Sequence, residues 1–184
     1  MCICQGTDYR YASWQPVHTN KTSIGTKPTY YGNIAVAAMM DDLTLRQVQI
    51  ANIPMTSELE SAYAAYVDGA LDRIAIINMR EYNYTLNVAG AVLNPVARPS
   101  QLYTFSFSAE CGPEIGVQRL IANGSDAVSG ISWDGLSYNW ELDMGKPVSL
   151  YNATIGETAK VVNGVVSVSV KDSEAVILNF LQRG

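Results

Sequence analysis

The stretch KVVNGVVSVSV, residues 160–170, decides the fold class of this 184-residue chain. Its Asn-Gly pair stands between two runs of β-branched residues, and this is the strongest short-range signal for a tight hairpin turn. After the turn, valine alternates with serine at a period of two, which is typical of a strand with one buried face. The stretch therefore predicts a β-hairpin whose valine face belongs to a core.

Further strands are predicted on both sides of this hairpin. Residues 174–181 form an apolar run that closes the chain. Residues 61–67 and 71–78 flank Asp68-Gly69, a pair that tolerates the positive φ of a tight turn. Residues 102–108 alternate so that three aromatic side chains share one buried face. Shorter strands are predicted at residues 46–53, 117–122, 136–142 and 158–162.

One helix is predicted before the strands begin. Residues 30–43 place apolar side chains at spacings of three and four, and Pro28 stands just ahead of them, as is common near a helix start. The residues before position 30 are irregular. Eight to ten short strands separated by turn residues predict a mainly β fold, an antiparallel β-sandwich preceded by an irregular segment and one α-helix. A closed barrel is the alternative.

Composition limits the partners that this chain can take. It carries 12 basic and 17 acidic residues for a net charge of −5, so no basic surface favours nucleic acid. No apolar run is long enough to cross a membrane, and no signal peptide is present at the start. Three cysteines, an odd number, predict no disulfide framework. We expect no nucleic-acid or membrane partner.

The usual routes to catalysis are missing from the sequence. His18 is the only histidine, and no G-x-S-x-G elbow frames a serine. One histidine and the Cys2-x-Cys4 pair cannot supply a zinc set, and no glycine-rich phosphate loop occurs. The acidic residues stand mostly in turns or on outward strand positions, where a carboxylate is hydrated. We therefore predict no catalytic residue, no metal site and no cofactor.

Aromatic residues offer the strongest binding signal. Trp133, Tyr138 and Trp140 fall within eight positions, and flat rings of this kind stack on sugar faces. The alternative is that these rings belong to the core of the sandwich. A second cluster in the irregular front segment has the composition of a site lining. It consists of Tyr9, Tyr11 and Trp14.

Four N-x-[ST] sequons occur where composition would give about two by chance. They begin at Asn20, Asn83, Asn123 and Asn152. Their number predicts a glycoprotein with a secretory history.

Several stretches together resemble glycoside hydrolase family 79, the β-glucuronidases related to heparanase. QGTDYRY at 5–11, SWQP at 13–16 and PTYYGN at 28–33 resemble the last strand and helix of that family's catalytic barrel. QRLIA at 118–122, GISWDG at 130–135 and SEAVIL at 173–178 resemble its C-terminal β domain. The resemblance covers essentially the whole chain.

The resemblance implies a division of the chain into residues 1–43, a remnant of the barrel, and residues 44–184, the β-sandwich domain. It implies a catalytic (β/α)₈ barrel as partner and secretion of the parent enzyme. The two catalytic glutamates of the family map onto no residue here, so we expect no activity from this chain alone. Tyr9, with Gly6 and Thr7 beside it, matches a tyrosine that holds the substrate carboxylate. The family often has His where Cys4 stands.

Three functions are therefore carried forward. The first is a non-catalytic β-sandwich domain that packs against and supports a catalytic barrel. The second is a stand-alone carbohydrate-binding module, with a glycan ligand on Trp133, Tyr138 and Trp140. The third is a glycosylated interaction domain of immunoglobulin-like architecture.

Overall fold

A computed structural model describes residues 12–87, 92–107, 112–151 and 153–180. The fold is mainly β and antiparallel with one main helix, which confirms the predicted class. In chain order the elements are β1 (Trp14–Gln15), β2 (Gly25–Thr26), α1 (Thr29–Met40), β3 (Val48–Ile53), β4 (Glu60–Val67), β5 (Ala70–Asn78), β6 (Ser100–Ser106), β7 (Glu114–Ile121), β8 (Ser132–Trp133), β9 (Leu136–Ser137), α2 (Trp140–Asp143), β10 (Val148–Ser149), β11 (Glu157–Val162), β12 (Val165–Lys171) and β13 (Glu174–Asn179).

The strands form two antiparallel sheets that share one strand, beside the small β1–β2 pair. The main sheet runs in the order β10-β9-β8-β7-β13-β5-β4-β3. The second sheet contains β6, β12 and the end of β11. Strand β11 belongs to both sheets, because residues 157–160 pair with β7 whereas Val161 and Val162 pair with β12. Within the described ranges the strand order stays open, so the sheets do not close into a barrel.

Both predicted hairpins form with the predicted turn residues. Asn163 and Gly164 take φ values of 52° and 73° between β11 and β12. Asp68 and Gly69 take φ values of 51° and 84° between β4 and β5. Two consecutive positive φ angles match the right-handed twist of the flanking strands, which explains why these residue types were a reliable signal.

The core between the two sheets uses the alternating positions of five strands. Tyr103 on β6 is buried, and Phe105 and Phe107 pack against the same cluster, so the predicted aromatic face is confirmed. The buried members of this cluster are Ile74, Ile76, Tyr103, Ile115, Val117, Val166, Val168, Val170, Val176 and Leu178.

A second core lies on the opposite face of the main sheet, under α1. Along β13, Val176 and Leu178 enter the first core whereas Ile177 enters the second, as the period of two requires. Tyr31 and Met39 are the buried residues of α1. The buried members of this cluster are Tyr31, Met39, Ala65, Ile131, Trp133 and Ile177.

Helix α1 begins and ends near the predicted bounds. Pro28 is the residue that precedes it, and Asp41 stops it with a φ of 55°. The helix therefore ends three residues before position 43. Neither helix of the described residues has both the length and the apolar character needed to cross a bilayer.

Two local predictions are wrong. Residues 136–142 do not form one strand, because β9 ends at Ser137 and the helical turn α2 begins at Trp140. The chain changes direction at Asn139, whose side chain accepts a hydrogen bond from the Tyr31 hydroxyl. Consequently, Tyr138 and Trp140 share no strand face. The irregular front segment contains the short β1–β2 hairpin, which pattern reasoning missed.

Candidate functional site

The candidate site is a cleft of about 380 Å³ where the front hairpin, α1 and α2 meet. Indole and phenol rings from three separate parts of the chain contribute to its wall. The lining residues are Trp14, Gln15, Pro16, Ile24, Gly25, Thr26, Tyr30, Trp140 and Gly145. None of them carries a charge, so the cleft is apolar and aromatic with a few neutral polar groups.

Hydrogen bonds fix the hairpin side of the cleft to α1 and to the segment before α2. The Thr26 hydroxyl donates to the Tyr138 carbonyl at 2.7 Å. The Asn33 side-chain amide, on α1, donates to Ser13 Oγ at 2.8 Å, and the Lys27 amide donates to the Ser13 carbonyl at 2.9 Å. These bonds hold a two-residue strand pair that could not persist alone.

Four rings form a continuous chain of edge-to-face contacts from the cleft to the second core. The Trp14 and Tyr30 ring centroids lie 6.3 Å apart at 78°. Tyr30 lies 6.1 Å from Tyr31 and 5.8 Å from Tyr138, and Tyr31 lies 6.2 Å from Tyr138. Edge-to-face pairs at these distances are favourable beyond their burial. Two of the rings that line the cleft, Trp14 and Tyr30, are therefore packed in fixed orientations.

The Tyr31 hydroxyl is the polar centre beneath the cleft. It donates to Asn139 Oδ1 at 2.6 Å and accepts from the Tyr138 amide at 2.8 Å. Ser137 Oγ lies 2.9 Å away and completes the set. Burial raises the pKa of Tyr31 above the ordinary value of 10.0. The neutral phenol thus serves as a hydrogen-bonding hub that orients the segment leading to Trp140.

The other end of α1 is held by Arg73 of β5. Its Nη1 donates to the Ala38 carbonyl at 2.9 Å and to the Met39 carbonyl at 3.0 Å. Its Nη2 binds the carboxylates of Asp41, at 3.0 Å, and of Asp72. The guanidinium satisfies carbonyls that a helix end leaves without intrahelical partners.

The buried carboxylates of the described residues take part in structural contacts. Besides Asp72, Asp172 accepts from the Asn78 amide at 2.9 Å. Glu174 accepts from the Lys171 amide at 3.1 Å and lies 3.8 Å from Arg98. No group of three potential metal-ligating side chains occurs in the part of the chain that the structure describes.

The predicted sugar-stacking residues are not grouped as the sequence suggested. Trp133 is only 6% exposed and packs in the second core, and Tyr138 is half-buried against that core. Trp140 is 37% exposed and lines the cleft instead. Its companions there are Trp14, from the second aromatic cluster of the sequence, and Tyr30, for which no sequence signal existed. Tyr9, Gly6 and Thr7 lie outside the described residues.

The sequons differ in their surroundings. Asn20 and Asn123 are exposed. Asn83 is half-buried: its Nδ2 donates to Glu81 at 2.7 Å, and its Oδ1 accepts from Ser125 at 2.6 Å. Asn152 lies outside the described residues.

Two curated β-glucuronidases are similar to this chain in sequence. The chain is 50% identical to a β-glucuronidase of Aspergillus niger over 182 residues, covering 95% of this chain and 32% of that protein. It is 47% identical to a β-glucuronidase of Neurospora crassa over 169 residues, covering 81% of this chain and 30% of that protein. The chain thus spans about a third of the length of these curated relatives.

A solved structure shares the fold. The 4-O-α-L-rhamnosyl-β-D-glucuronidase of Fusarium oxysporum, in a Rha-GlcA complex, superposes with a TM-score of 0.55 at 22% identity, covering 71% of this chain and 25% of that one. Residues 62–177 match the model of the glycosyl hydrolase family 79 C-terminal beta domain. Because this match spans more than half of the chain, the chain belongs to the family of glycosyl hydrolase family 79 C-terminal beta domains.

Proposed function

We propose that this chain is a non-catalytic domain that packs against a catalytic (β/α)₈ barrel and supports it. In this proposal residues 1–43 supply the last strand and helix of the barrel, and residues 44–184 form the supporting sandwich. The parent enzyme acts on β-glucuronides, as the names of the curated relatives suggest.

The character of α1 carries the proposal. Its sequence, TYYGNIAVAAMM, contains no charged residue. One side packs on the second core, yet Val36 on another side is 62% exposed, with Ala37 exposed beside it. The exposed positions of α1 are Thr29, Asn33, Val36 and Ala37, none of them charged, whereas the solvent side of a surface helix normally carries charged residues. The outer side of α1 therefore has the character of a surface that another part of a longer protein covers.

The two ends of α1 are fixed to the sandwich by buried polar contacts. Tyr31 joins the first turn to Ser137 and Asn139, and Arg73 joins the last turn to β5. A helix held at both ends has a defined orientation relative to the sheets. In the proposed parent enzyme α1 belongs to the barrel. The contacts at its two ends therefore fix the orientation of the barrel relative to the sandwich.

The chemistry of the described residues supports a non-catalytic role. Glycoside hydrolysis needs two carboxyl groups about 5–5.5 Å or 6.5–9.5 Å apart beside the scissile bond. Glu60 binds Arg80 at 2.5 Å, and Glu157 binds Arg119 through both carboxylate oxygens at 2.6 and 2.8 Å. Carboxylates held in this way are fixed structural anions.

Glycosylation and secretion belong to the same proposal. We expect glycans first at Asn20 and Asn123, since both side chains are exposed. Asn83 Nδ2, the atom to which a glycan would be attached, already donates to Glu81, so a glycan there would compete with that hydrogen bond. Peptide mass spectrometry of the chain secreted from a fungal host measures the occupancy of each sequon.

Complementation tests the packing proposal. The part of the Aspergillus niger β-glucuronidase that this chain does not cover is co-expressed with this chain, and the hydrolysis of an aryl β-glucuronide is measured. We expect activity with both parts and none with this chain alone. Val36→Glu should abolish complementation, whereas Val128→Glu, at an exposed apolar position outside α1, should not.

Two outcomes would contradict the proposal. One is glucuronide turnover by the purified chain that disappears when one of its own glutamates is replaced by alanine. The other is equal complementation by the wild-type chain and a folded Val36→Glu variant.

A further inference from the structure

We propose that the cleft between Trp14 and Trp140 binds an uncharged sugar unit of a glycan. The cleft lies where the front hairpin, assigned above to the barrel, meets α2 of the sandwich, and its lining does not include Val36, on which the packing test depends. Three observations carry it: the exposure of the rings, the unused hydrogen-bonding groups and the absence of charge among the described lining residues.

The two indoles are among the most exposed rings of the described residues. Trp14 is 43% exposed and Trp140 is 37% exposed, although each could bury a large apolar area in a core. Trp14 packs edge-to-face on Tyr30, and the backbone of Trp140 is positioned at the start of α2 by the anchored Asn139. Exposed aromatic surfaces at fixed backbone positions are suited to stacking on the apolar face of a pyranose ring.

The cleft also offers unused hydrogen-bonding capacity. Within the described residues, no hydrogen bond engages the indole N–H of Trp14, the indole N–H of Trp140 or the hydroxyl of Tyr30. The Thr26 hydroxyl donates to a backbone carbonyl, and its oxygen keeps the ability to accept. A sugar presents hydroxyl groups beside its apolar face, and these can accept from the indole N–H groups and donate to the Thr26 oxygen. A purely apolar occupant would leave these donors without partners.

The charge of the lining selects the class of sugar. A uronic acid or a sulfated sugar would lose hydration of its anion on entry, and the described residues of the lining include no cation to replace that hydration. The cleft should therefore prefer neutral units over glucuronate. A volume of about 380 Å³ accommodates one or two sugar rings, within the usual range of small-molecule sites.

Three tryptophans make the test direct, because each gives one indole N–H signal in a ¹⁵N-correlated NMR spectrum. The chain is titrated with cellotetraose and with mannotetraose, up to about 20 mM. We expect the Trp14 and Trp140 signals to shift with a Kd on the order of 1 mM, as for a small open site. The signal of the buried Trp133 should stay in place. Glucuronate should shift the two signals at least about tenfold more weakly.

Variants assign the effect to the cleft. Trp140→Ala should weaken binding at least about tenfold, and Trp14→Phe, which keeps a ring, should weaken it less. Tyr151→Ala is the matched control, because Tyr151 is fully exposed and lies outside the cleft. It should leave binding unchanged. Thermal unfolding and the Trp133 signal report whether each variant is folded.

Several results would overturn the proposal. Signals of Trp14 and Trp140 that stay fixed with both neutral tetrasaccharides would do so, and so would binding of glucuronate alone. The cleft would instead be a domain interface if the uncovered part of the Aspergillus niger relative shifts the two signals while neutral sugars leave them in place. Neither finding would alter the complementation result above.

Discussion

The guanidinium of Arg73, on β5, donates a 3.0 Å hydrogen bond to the carbonyl oxygen of Met39, in the last turn of α1. The same group reaches the Ala38 carbonyl and the carboxylate of Asp41. One buried cation thus satisfies the helix end and pairs with the carboxylate that terminates the helix. The contact fixes α1 to the main sheet by polar bonds in addition to hydrophobic packing.

Replacing this cation should be costly. Arg73→Met removes the partner of Asp72, which is buried, so an uncompensated carboxylate remains in the interior. We expect a loss of about 3–5 kcal/mol in the free energy of unfolding. Urea denaturation measures this change. Lys146→Met removes an exposed ion pair with Asp143 and should change stability by less than about 0.5 kcal/mol. Equal effects of the two substitutions would contradict the assigned role of Arg73.

The Tyr31 hydroxyl gives a second prediction. Tyr31→Phe keeps the ring but leaves Asn139 Oδ1 and the Tyr138 amide without this partner, at a cost of about 1–3 kcal/mol. Tyr30→Phe is the control, because the Tyr30 hydroxyl makes no hydrogen bond within the described residues, and its effect should stay below about 0.5 kcal/mol. Thermal unfolding of both variants gives the comparison. A Tyr31→Phe variant as stable as the control would show that the hub is unimportant.

Gly124 is required by close backbone approach. A Cβ at this position would stand 2.6 Å from the Tyr84 amide nitrogen and 2.7 Å from the Tyr82 carbonyl oxygen. Gly124→Ala should therefore destabilise the fold by about 1–3 kcal/mol. Gly32→Ala should do the opposite, because nothing lies within 4 Å of its Cβ and alanine is favoured in a helix by about 1 kcal/mol. Chemical denaturation measures the change in the free energy of unfolding for each variant. Changes of the same sign would contradict this account of the two glycines.

Tyr103 predicts an alkaline limb of stability. Burial, with the charge of Glu60, raises the pKa of Tyr103 to about 12 in the folded chain from 10.0 when unfolded. The folded state therefore retains a proton that the unfolded state releases, and stability falls as pH rises from 10 to 12, by up to about 1.4 kcal/mol per pH unit. This contribution is fully present below pH 10.

Tyr103→Phe should remove that part of the alkaline loss. At neutral pH it should cost little, because the buried hydroxyl has no hydrogen-bond partner among the described residues. Unfolding curves at intervals from pH 8 to pH 12 compare the two proteins. Parallel alkaline limbs would refute the assignment to Tyr103.

The sequence predicted what local chemistry determines. Asn163-Gly164 and Asp68-Gly69 occupy the turns because few other pairs accept two positive φ angles. The alternation in β12 and β13 was readable because sandwich strands keep a period of two. The family resemblance was confirmed by the match over residues 62–177. The division at residue 43 remains a prediction.

Contacts between distant residues could not be predicted in this way. Tyr31 meets Asn139 across 108 positions, and this bond accompanies the break that turned a predicted strand into α2. Trp133 and Trp140 looked alike in sequence, yet one is buried under α1 and the other faces the cleft. Pairing of Trp140 with Trp14 depends on the β1–β2 hairpin, whose strands have only two residues each and give no periodic signal.

Strand β11 has a mechanical consequence. Its first four residues bond to β7 in one sheet and its last two bond to β12 in the other. Separation of the two layers requires β11 to lose its hydrogen bonds to β7 or to β12. The two sheets are therefore expected to unfold together, as one foldon.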